Sequence, residues 1–81
     1  MSRSQEMLDI GLVVEVGDRV KRGRDWAWGN QDGNPPGQGT VTGPEPGLSG
    51  WWKVHWDSGM EASYRVGAED KYDLEIIWPD T

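Results

Sequence analysis

Glycine and proline recur so often along this chain that no long helix can form. The 81 residues include 12 glycines and 5 prolines, and residues 23–39 alone contain five glycines and a Pro-Pro pair. Glycine weakens helical preference and proline removes a backbone donor. The chain must therefore fold from short elements connected by turns, and the 23–39 stretch is predicted to be one long loop.

Alternation of apolar and polar residues predicts five short strands, at 18–22, 40–42, 50–57, 60–66 and 72–77. The second and third are separated by the turn-forming run GPEPG, and Asp57-Ser58-Gly59 is a tight hairpin signal between the third and fourth. An apolar segment at 10–16 is either a further strand or an arm over the others. The predicted fold class is all-β, a small SH3-like β-barrel with a long loop rich in glycine and tryptophan.

The length allows one domain, because two halves of this size would each be too small to hold a core. We expect a flexible N-terminal tail at residues 1–9, a barrel at 10–78 and a C-terminal tail at 79–81. Trp51 faces away from Trp52 and Trp56 and is expected at the surface. The predicted core residues are Trp52, Val54, Trp56, Tyr64, Leu74 and Ile76.

Composition excludes several chemistries. The absence of cysteine excludes disulfides, thiolate zinc sites and cysteine nucleophiles. The single histidine, His55, has no second histidine near it in sequence, so neither a metal nor another cofactor is expected. No nucleophile stands beside a base, and the sequence therefore predicts a domain without catalytic activity. The longest aliphatic run, residues 12–14, is far too short to cross a bilayer.

The charge balance argues against nucleic acid as a partner. Fourteen acids oppose eight bases, for a net charge of −6, whereas nucleic-acid binders are usually basic. Four of the bases cluster at Arg19, Lys21, Arg22 and Arg24, but so small a patch on an acidic domain would bind phosphates weakly.

A long motif runs from residue 17 to residue 74 and carries a family resemblance. Its parts are GDRVKRGRDWAWGNQDGNPPGQGTV, WWKVHWDSG, SYRVG and KYDL. With these the chain resembles the MIB/HERC domain, a module shared by Mind bomb and by HERC and HECT ubiquitin ligases. Ala27 stands where the family usually carries lysine, and Asn30 is another departure. The matching residues are Val20, Arg22, Gly23, Asp25, Trp26, Trp28, Gly29, Gln31, Asp32, Gly33, Gly37, Gly39, Val41, Trp56, Asp57, Gly59, Tyr64, Arg65, Tyr72, Asp73 and Leu74.

The resemblance implies an SH3-like barrel used for protein recognition inside a multidomain E3 ubiquitin ligase. The ligase chemistry of such proteins lies on RING or HECT domains, which this chain does not contain. The expected partner is a peptide segment of a substrate protein, bound by a monomeric domain without membrane insertion. A cytoplasmic location is expected, with a nuclear one as the alternative.

The candidate binding site is a groove between the 23–39 loop and the 57–66 hairpin. Trp26 and Trp28 are two residues apart, so in an extended segment both rings point the same way and form an aromatic wall. Charged side chains around them would orient a peptide. The predicted ligand-binding residues are Arg22, Asp25, Trp26, Trp28, Gln31, Asp32, Tyr64 and Arg65.

Other interpretations of the same residues stay open. One tryptophan could cover the end of the barrel while Asp25 and Asp32 accept turn N–H groups. Arg65 is expected to pair with an aspartate inside the fold, whereas Arg22 is equally suited to an internal or an external carboxylate. The aromatic residues could instead form a Tudor-like cage for methylated lysine. A third alternative is a structural spacer in which every tryptophan is satisfied internally.

Overall fold

The five alternating segments of the sequence all form strands. The computed structural model describes residues 14–79, and the strands are β1 (Arg19–Arg22), β2 (Gly39–Pro44), β3 (Trp51–Trp56), β4 (Glu61–Arg65) and β5 (Leu74–Ile76). The described residues contain no α-helix, only a single 3-10 turn at Ala68–Asp70. The predicted N-terminal tail and most of the 10–16 segment lie outside the described residues, as does most of the C-terminal tail. Residues 14–16 are not in a strand, and Val14 is buried.

The strands form one antiparallel sheet in the order β4-β3-β2-β1-β5. Its two edge strands approach each other at one end, where the Asp73 N–H donates to the Arg65 carbonyl at 2.8 Å and Val66 pairs with Tyr72. The sheet is not closed beyond this contact. The all-β prediction with five strands is confirmed, whereas the barrel is not.

The core lies on the side of the sheet that the alternation predicts. Trp56 and Tyr64 are its largest members, and neither has exposed surface. Their rings meet edge to face at 5.6 Å, and the Trp56 indole N–H donates to the Tyr64 hydroxyl at 2.9 Å. Burial of each such ring stabilises the fold by roughly 1.5–3 kcal/mol. Five of the six predicted core residues are buried, and Trp52 is half-buried against them. The buried apolar residues are Val14, Val20, Val41, Val54, Trp56, Tyr64, Val66, Leu74 and Ile76.

The core reaches β2 so closely that only glycine fits at residue 39. Gly39 lies opposite Trp56 in the β2–β3 register. A Cβ at Gly39 would stand 2.7 Å from the Val54 Cγ1 atom and 2.8 Å from the Trp56 Cε3 atom. The absence of a side chain here lets the central strands close over the Trp56 ring.

We expect Gly39→Ala to destabilise the domain by about 1–3 kcal/mol, because the added methyl overpacks the core. Gly43→Ala is the matched control in the same strand, since a Cβ there meets no atom within 4 Å, and its effect should stay within about 0.5 kcal/mol. Urea unfolding followed by tryptophan fluorescence measures both. Equal midpoints for the two variants would contradict the close-approach argument.

Candidate functional site

Carboxylates that accept hydrogen bonds from other parts of the chain hold the loop between β1 and β2. The loop spans residues 23–38 and folds back on itself through turns. Three aspartates make these contacts. Asp73 accepts the Trp28 indole N–H of the loop, Asp32 accepts the Arg22 side chain of β1, and Asp25 accepts the Tyr72 backbone N–H. The loop that the sequence predicts to carry the site is therefore a fixed part of the fold.

Asp73 is the most heavily engaged of these carboxylates, and it has no exposed surface. Its Oδ2 atom accepts the Trp28 indole N–H, the Arg65 backbone N–H and the Arg65 Nε–H, each at 2.9 Å. Its Oδ1 atom accepts the Arg65 Nη2–H at 2.9 Å. One side chain thereby connects β4 and the loop to the start of β5, and its carboxylate raises the pKa of Arg65.

Asp32 holds the far side of the loop against β1. Its carboxylate is buried and accepts two hydrogen bonds from Arg22, from Nε and Nη2, each at 2.8 Å. The paired geometry fits the fork of the guanidinium, and the hydrogen bond to Asp32 raises the pKa of Arg22. Arg22, for which the sequence left an internal and an external partner equally open, pairs internally.

Asp25 fixes the start of the loop. Its Oδ2 atom accepts the Tyr72 backbone N–H at 2.7 Å, and the Asp25 N–H donates to the Tyr72 carbonyl at 3.1 Å. The Tyr72 N–H lowers the pKa of Asp25 below its usual value, with a smaller contribution from Arg24. The donor to Asp25 is a distant backbone N–H and the donor to Asp32 is the Arg22 guanidinium, so neither carboxylate makes the local turn contact of the alternative interpretation.

Trp26 lies over the core. Its ring stacks on Tyr64 at 5.2 Å between centroids and meets Trp56 edge to face at 5.7 Å. Its indole N–H donates to the Gly29 carbonyl at 2.9 Å, and the Arg22 guanidinium lies 5.2 Å from its ring centre. Trp26 remains half-buried, so part of the ring faces solvent.

Trp28 also contacts Tyr64, at 6.2 Å between ring centroids, and it meets Trp51 at 6.3 Å, both edge to face. The Arg65 guanidinium stands 5.3 Å from its ring centre. Trp28 and Trp51 are half-buried, and Ala27 between the two loop tryptophans is exposed. We call Trp26, Ala27, Trp28 and Trp51 the indole surface.

The structure brings all eight predicted site residues together, and each has a partner within the chain. Gln31 accepts the Tyr64 hydroxyl at 2.8 Å. Tyr64 has no exposed surface, and burial raises its pKa. It therefore acts by supporting the two loop tryptophans. The expected internal pair of Arg65 is confirmed, with Asp73 as its partner. Asp73 itself was missed as a site residue, although the sequence analysis placed it in the KYDL motif.

A hollow of about 570 Å³ lies outside the predicted groove. It is lined by residues 44–52, the link between β2 and β3 together with the start of β3. Trp51 lines it and also contacts Trp28, so the hollow adjoins the indole surface. The sequence predicted only the turn-forming run GPEPG there, and the structure shows that Leu48, which follows this run, is exposed.

The basic cluster is largely engaged with carboxylates of the same chain. Arg19 donates to both Asp57 oxygens, at 2.9 and 2.6 Å, and this hydrogen bonding lowers the pKa of Asp57. Arg22 pairs with Asp32, and Arg24 lies 3.5 Å from an Asp25 oxygen. These pairs leave little positive charge available for phosphates.

Within residues 14–79, no three histidine or acidic side chains are grouped so that they could hold a metal ion. Over the same residues there is no helix with the length and apolarity needed to cross a membrane.

Comparison with known proteins identifies the class of domain. The sequence profile of the Mib_herc2 family matches residues 17–78. The chain belongs to this family.

Its relatives are large proteins of which the chain matches a small part. It is 52% identical over 68 residues to the E3 ubiquitin-protein ligase HERC2 of Homo sapiens, covering 84% of this chain and 1% of that protein. It is 52% identical over 63 residues to the E3 ubiquitin-protein ligase Ufd4 of Drosophila melanogaster, covering 78% of this chain and 2% of that protein. It is 40% identical over 72 residues to the E3 ubiquitin-protein ligase MIB2 of Gallus gallus, covering 83% of this chain and 8% of that protein. The shared region is the small Mib_herc2 domain and not a catalytic HECT or RING domain.

Removal of the Asp73 charge should destabilise the fold strongly. We expect Asp73→Asn to cost about 3 kcal/mol or more, because Arg65 loses its buried charged partner and the asparagine NH2 group faces donors from which it cannot accept. Asp57→Asn is the matched control at an exposed pair, where little change is expected. Thermal unfolding by circular dichroism compares the two, and similar melting temperatures would refute the central role of Asp73.

Stability should fall on acidification, partly through Asp25. The folded-state pKa of Asp25 lies below its usual value of 3.8, so its charged form favours the folded state above that pH. This contribution disappears as the pH falls through the folded-state pKa. Urea midpoints between pH 6 and pH 2.5 should therefore fall less steeply for Asp25→Asn than for the wild type. Parallel curves would show that the Asp25 charge contributes nothing.

Proposed function

We propose that this chain is a non-catalytic recognition module of a multidomain E3 ubiquitin ligase. It binds a short peptide segment of a substrate or partner protein at the indole surface. The observation that carries the proposal is that Trp26 and Trp28 are held in place by internal hydrogen bonds while part of each ring stays at the surface.

Rigid aromatic side chains suit this role. Tryptophan is enriched among the residues that dominate binding energy at interfaces. Since both loop indoles are already fixed by the Gly29 carbonyl and by Asp73, a peptide would order few side chains when it binds. The contact area is small, so affinity should be weak to moderate.

The relatives support recognition rather than chemistry. HERC2, Ufd4 and MIB2 are each named as E3 ubiquitin-protein ligases, and the shared region is a few per cent of each protein. In this proposal the sheet is the scaffold of an SH3-like barrel, and the module acts as a monomer in the cytoplasm or nucleus. The parent ligase would use it to select or position a protein.

The rival interpretations make different predictions. A Tudor-like cage needs several ring faces open to the ligand, and Tyr64 has none to offer. The half-buried Trp26, Trp28 and Trp51 of the indole surface remain for such a cage. A structural spacer would bind no peptide at all. Binding that depends on lysine methylation would favour the Tudor-like cage. The absence of any binding peptide would favour the structural spacer.

We expect Ala27→Glu to weaken peptide binding at least about fivefold while the fold is retained. Ala27 is exposed between the two indoles, so a carboxylate there would obstruct the surface and disfavour its desolvation. The probe is a peptide selected on the wild-type chain from a random phage-displayed library. Isothermal titration calorimetry measures the dissociation constants, with the probe's lysines tested in methylated and unmethylated forms.

Thr42→Glu is the matched control, because it adds the same charge at an exposed position of β2 away from the loop. Nitrogen-15 NMR spectra locate the contact, which should include the amides of residues 24–31 and the indole signals of Trp26 and Trp28. Shifts confined to other residues, or equal weakening by both variants, would reject the indole surface as the binding site.

A further inference from the structure

We infer that the hollow formed by residues 44–52 is a second peptide subsite, which takes an apolar side chain adjoining a lysine or arginine of the partner. The inference rests on the proposed function, because it supplies the chemical class of the peptide that the module recognises. Four properties of the hollow support it.

The hollow has a fixed frame. The Glu45 N–H donates to the Trp51 carbonyl at 2.9 Å, and the Trp51 N–H donates to the Leu48 carbonyl at 3.1 Å, so the link between β2 and β3 is closed by its own hydrogen bonds. Gly50 has a φ of +84°, and a Cβ there would stand 2.7 Å from the Ala68 nitrogen. The link is thus packed against the 3-10 turn, and little ordering is needed when a ligand enters.

Apolar residues predominate in the lining of the hollow. Leu48 is 53% exposed, and it is accompanied by Pro44, Pro46 and the half-buried Trp51 and Trp52. An apolar side chain of a ligand would therefore bury apolar surface here.

The charge of the hollow favours a cation. Glu45 is the one charged side chain among the lining residues. It accepts the Ser63 hydroxyl at 2.5 Å, a neutral partner that leaves its charge in place. No lysine or arginine among residues 14–79 forms an ion pair with it. An acidic segment would be repelled here.

The hollow is continuous with the indole surface. Trp51 lines the hollow and lies 6.3 Å from Trp28 between ring centroids. A single extended segment can therefore contact the loop indoles and place its next apolar and basic side chains in the hollow. A basic–apolar peptide fits both surfaces, whereas a hydrophobic peptide without charge would leave Glu45 unmatched.

The experiment uses three synthetic decapeptides that differ only at the centre of a Gly-Ser background. The first carries leucine-proline-arginine, the second leucine-proline-glutamate and the third serine-serine-arginine. Each is titrated at low salt into the nitrogen-15-labelled 81-residue chain. The first should shift the amides of residues 45 and 47–50 and the indole signals of Trp51 and Trp52, and the other two should shift them at least threefold less at equal concentration.

Variants test the assigned roles. Glu45→Gln keeps an acceptor for Ser63 but removes the charge, and it should weaken the first peptide about two- to fivefold, the range of an exposed ion pair. Glu75→Gln, an exposed carboxylate on β5, should leave binding unchanged. Leu48→Ser alters an exposed side chain and should reduce binding further. The Glu45→Gln effect should shrink in high salt, because salt screens the ion pair.

Several results would overturn the inference. These are no shifts at residues 45–52, equal shifts with the glutamate peptide, or no difference between Glu45→Gln and Glu75→Gln. If library-selected peptides shift only the signals of the indole surface, the hollow is not a subsite while the proposed function stands. If no library-selected peptide binds the chain, the proposed function fails independently of the hollow.

Discussion

The buried carboxylate of Asp73 is the contact on which the rest of the site depends. It joins the end of β4, the start of β5 and the β1–β2 loop by accepting four hydrogen bonds, three from Arg65 and one from the Trp28 indole. At this end of the sheet the two edge strands approach each other through the backbone contact between Asp73 and Arg65 and the pairing of Val66 with Tyr72. This buried charge is tolerated because four hydrogen bonds, two of them from the Arg65 guanidinium, replace the contacts that the carboxylate would make with water. Without Asp73 the loop would lose its anchor, and the edge strands would lose one of the few contacts between them.

The same arrangement determines how function and stability are coupled. Trp26 and Trp28 contribute to folding with part of each ring and leave the rest at the surface, so the fold itself arranges the aromatic groups that a partner would meet. Truncation of either ring would remove core contacts and binding contacts together, and a loss of binding could not then be assigned to the surface. Ala27 and Thr42 avoid this difficulty because neither supports the core. A loop with so many glycines can still present a defined surface, because side-chain hydrogen bonds add to the backbone hydrogen bonds of its turns.

Alternation and turn residues were sufficient to predict the five strands. The alternation also predicted which faces of β3 and β5 point toward the core. The network of buried carboxylates was not predictable in the same way. Asp73 alternates with Tyr72 and Leu74, which suggests an outward side chain, but the loop covers that face where the sheet edges meet, and the carboxylate becomes buried. Strand periodicity contains no information about which loop returns to cover which face. The hollow at 44–52 was missed for a related reason, because proline and glycine there indicated where a strand ends and not what the connection encloses.

Charge pairing within the fold bears on the kind of partner that the proposed recognition module would select. Arg19, Arg22 and Arg65 are each matched by an aspartate of the same chain, so the internal pairs consume equal numbers of acids and bases and leave the net charge of −6 unchanged. Within residues 14–79, carboxylates without a basic partner contribute to this excess, and Glu45 in the hollow is one of them. Exposed ion pairs contribute little affinity individually. A surplus of negative charge nevertheless repels acidic partners and speeds the approach of basic ones. The aromatic groups would thus supply most of the binding energy, and the acidic surface would determine which segments are admitted to them.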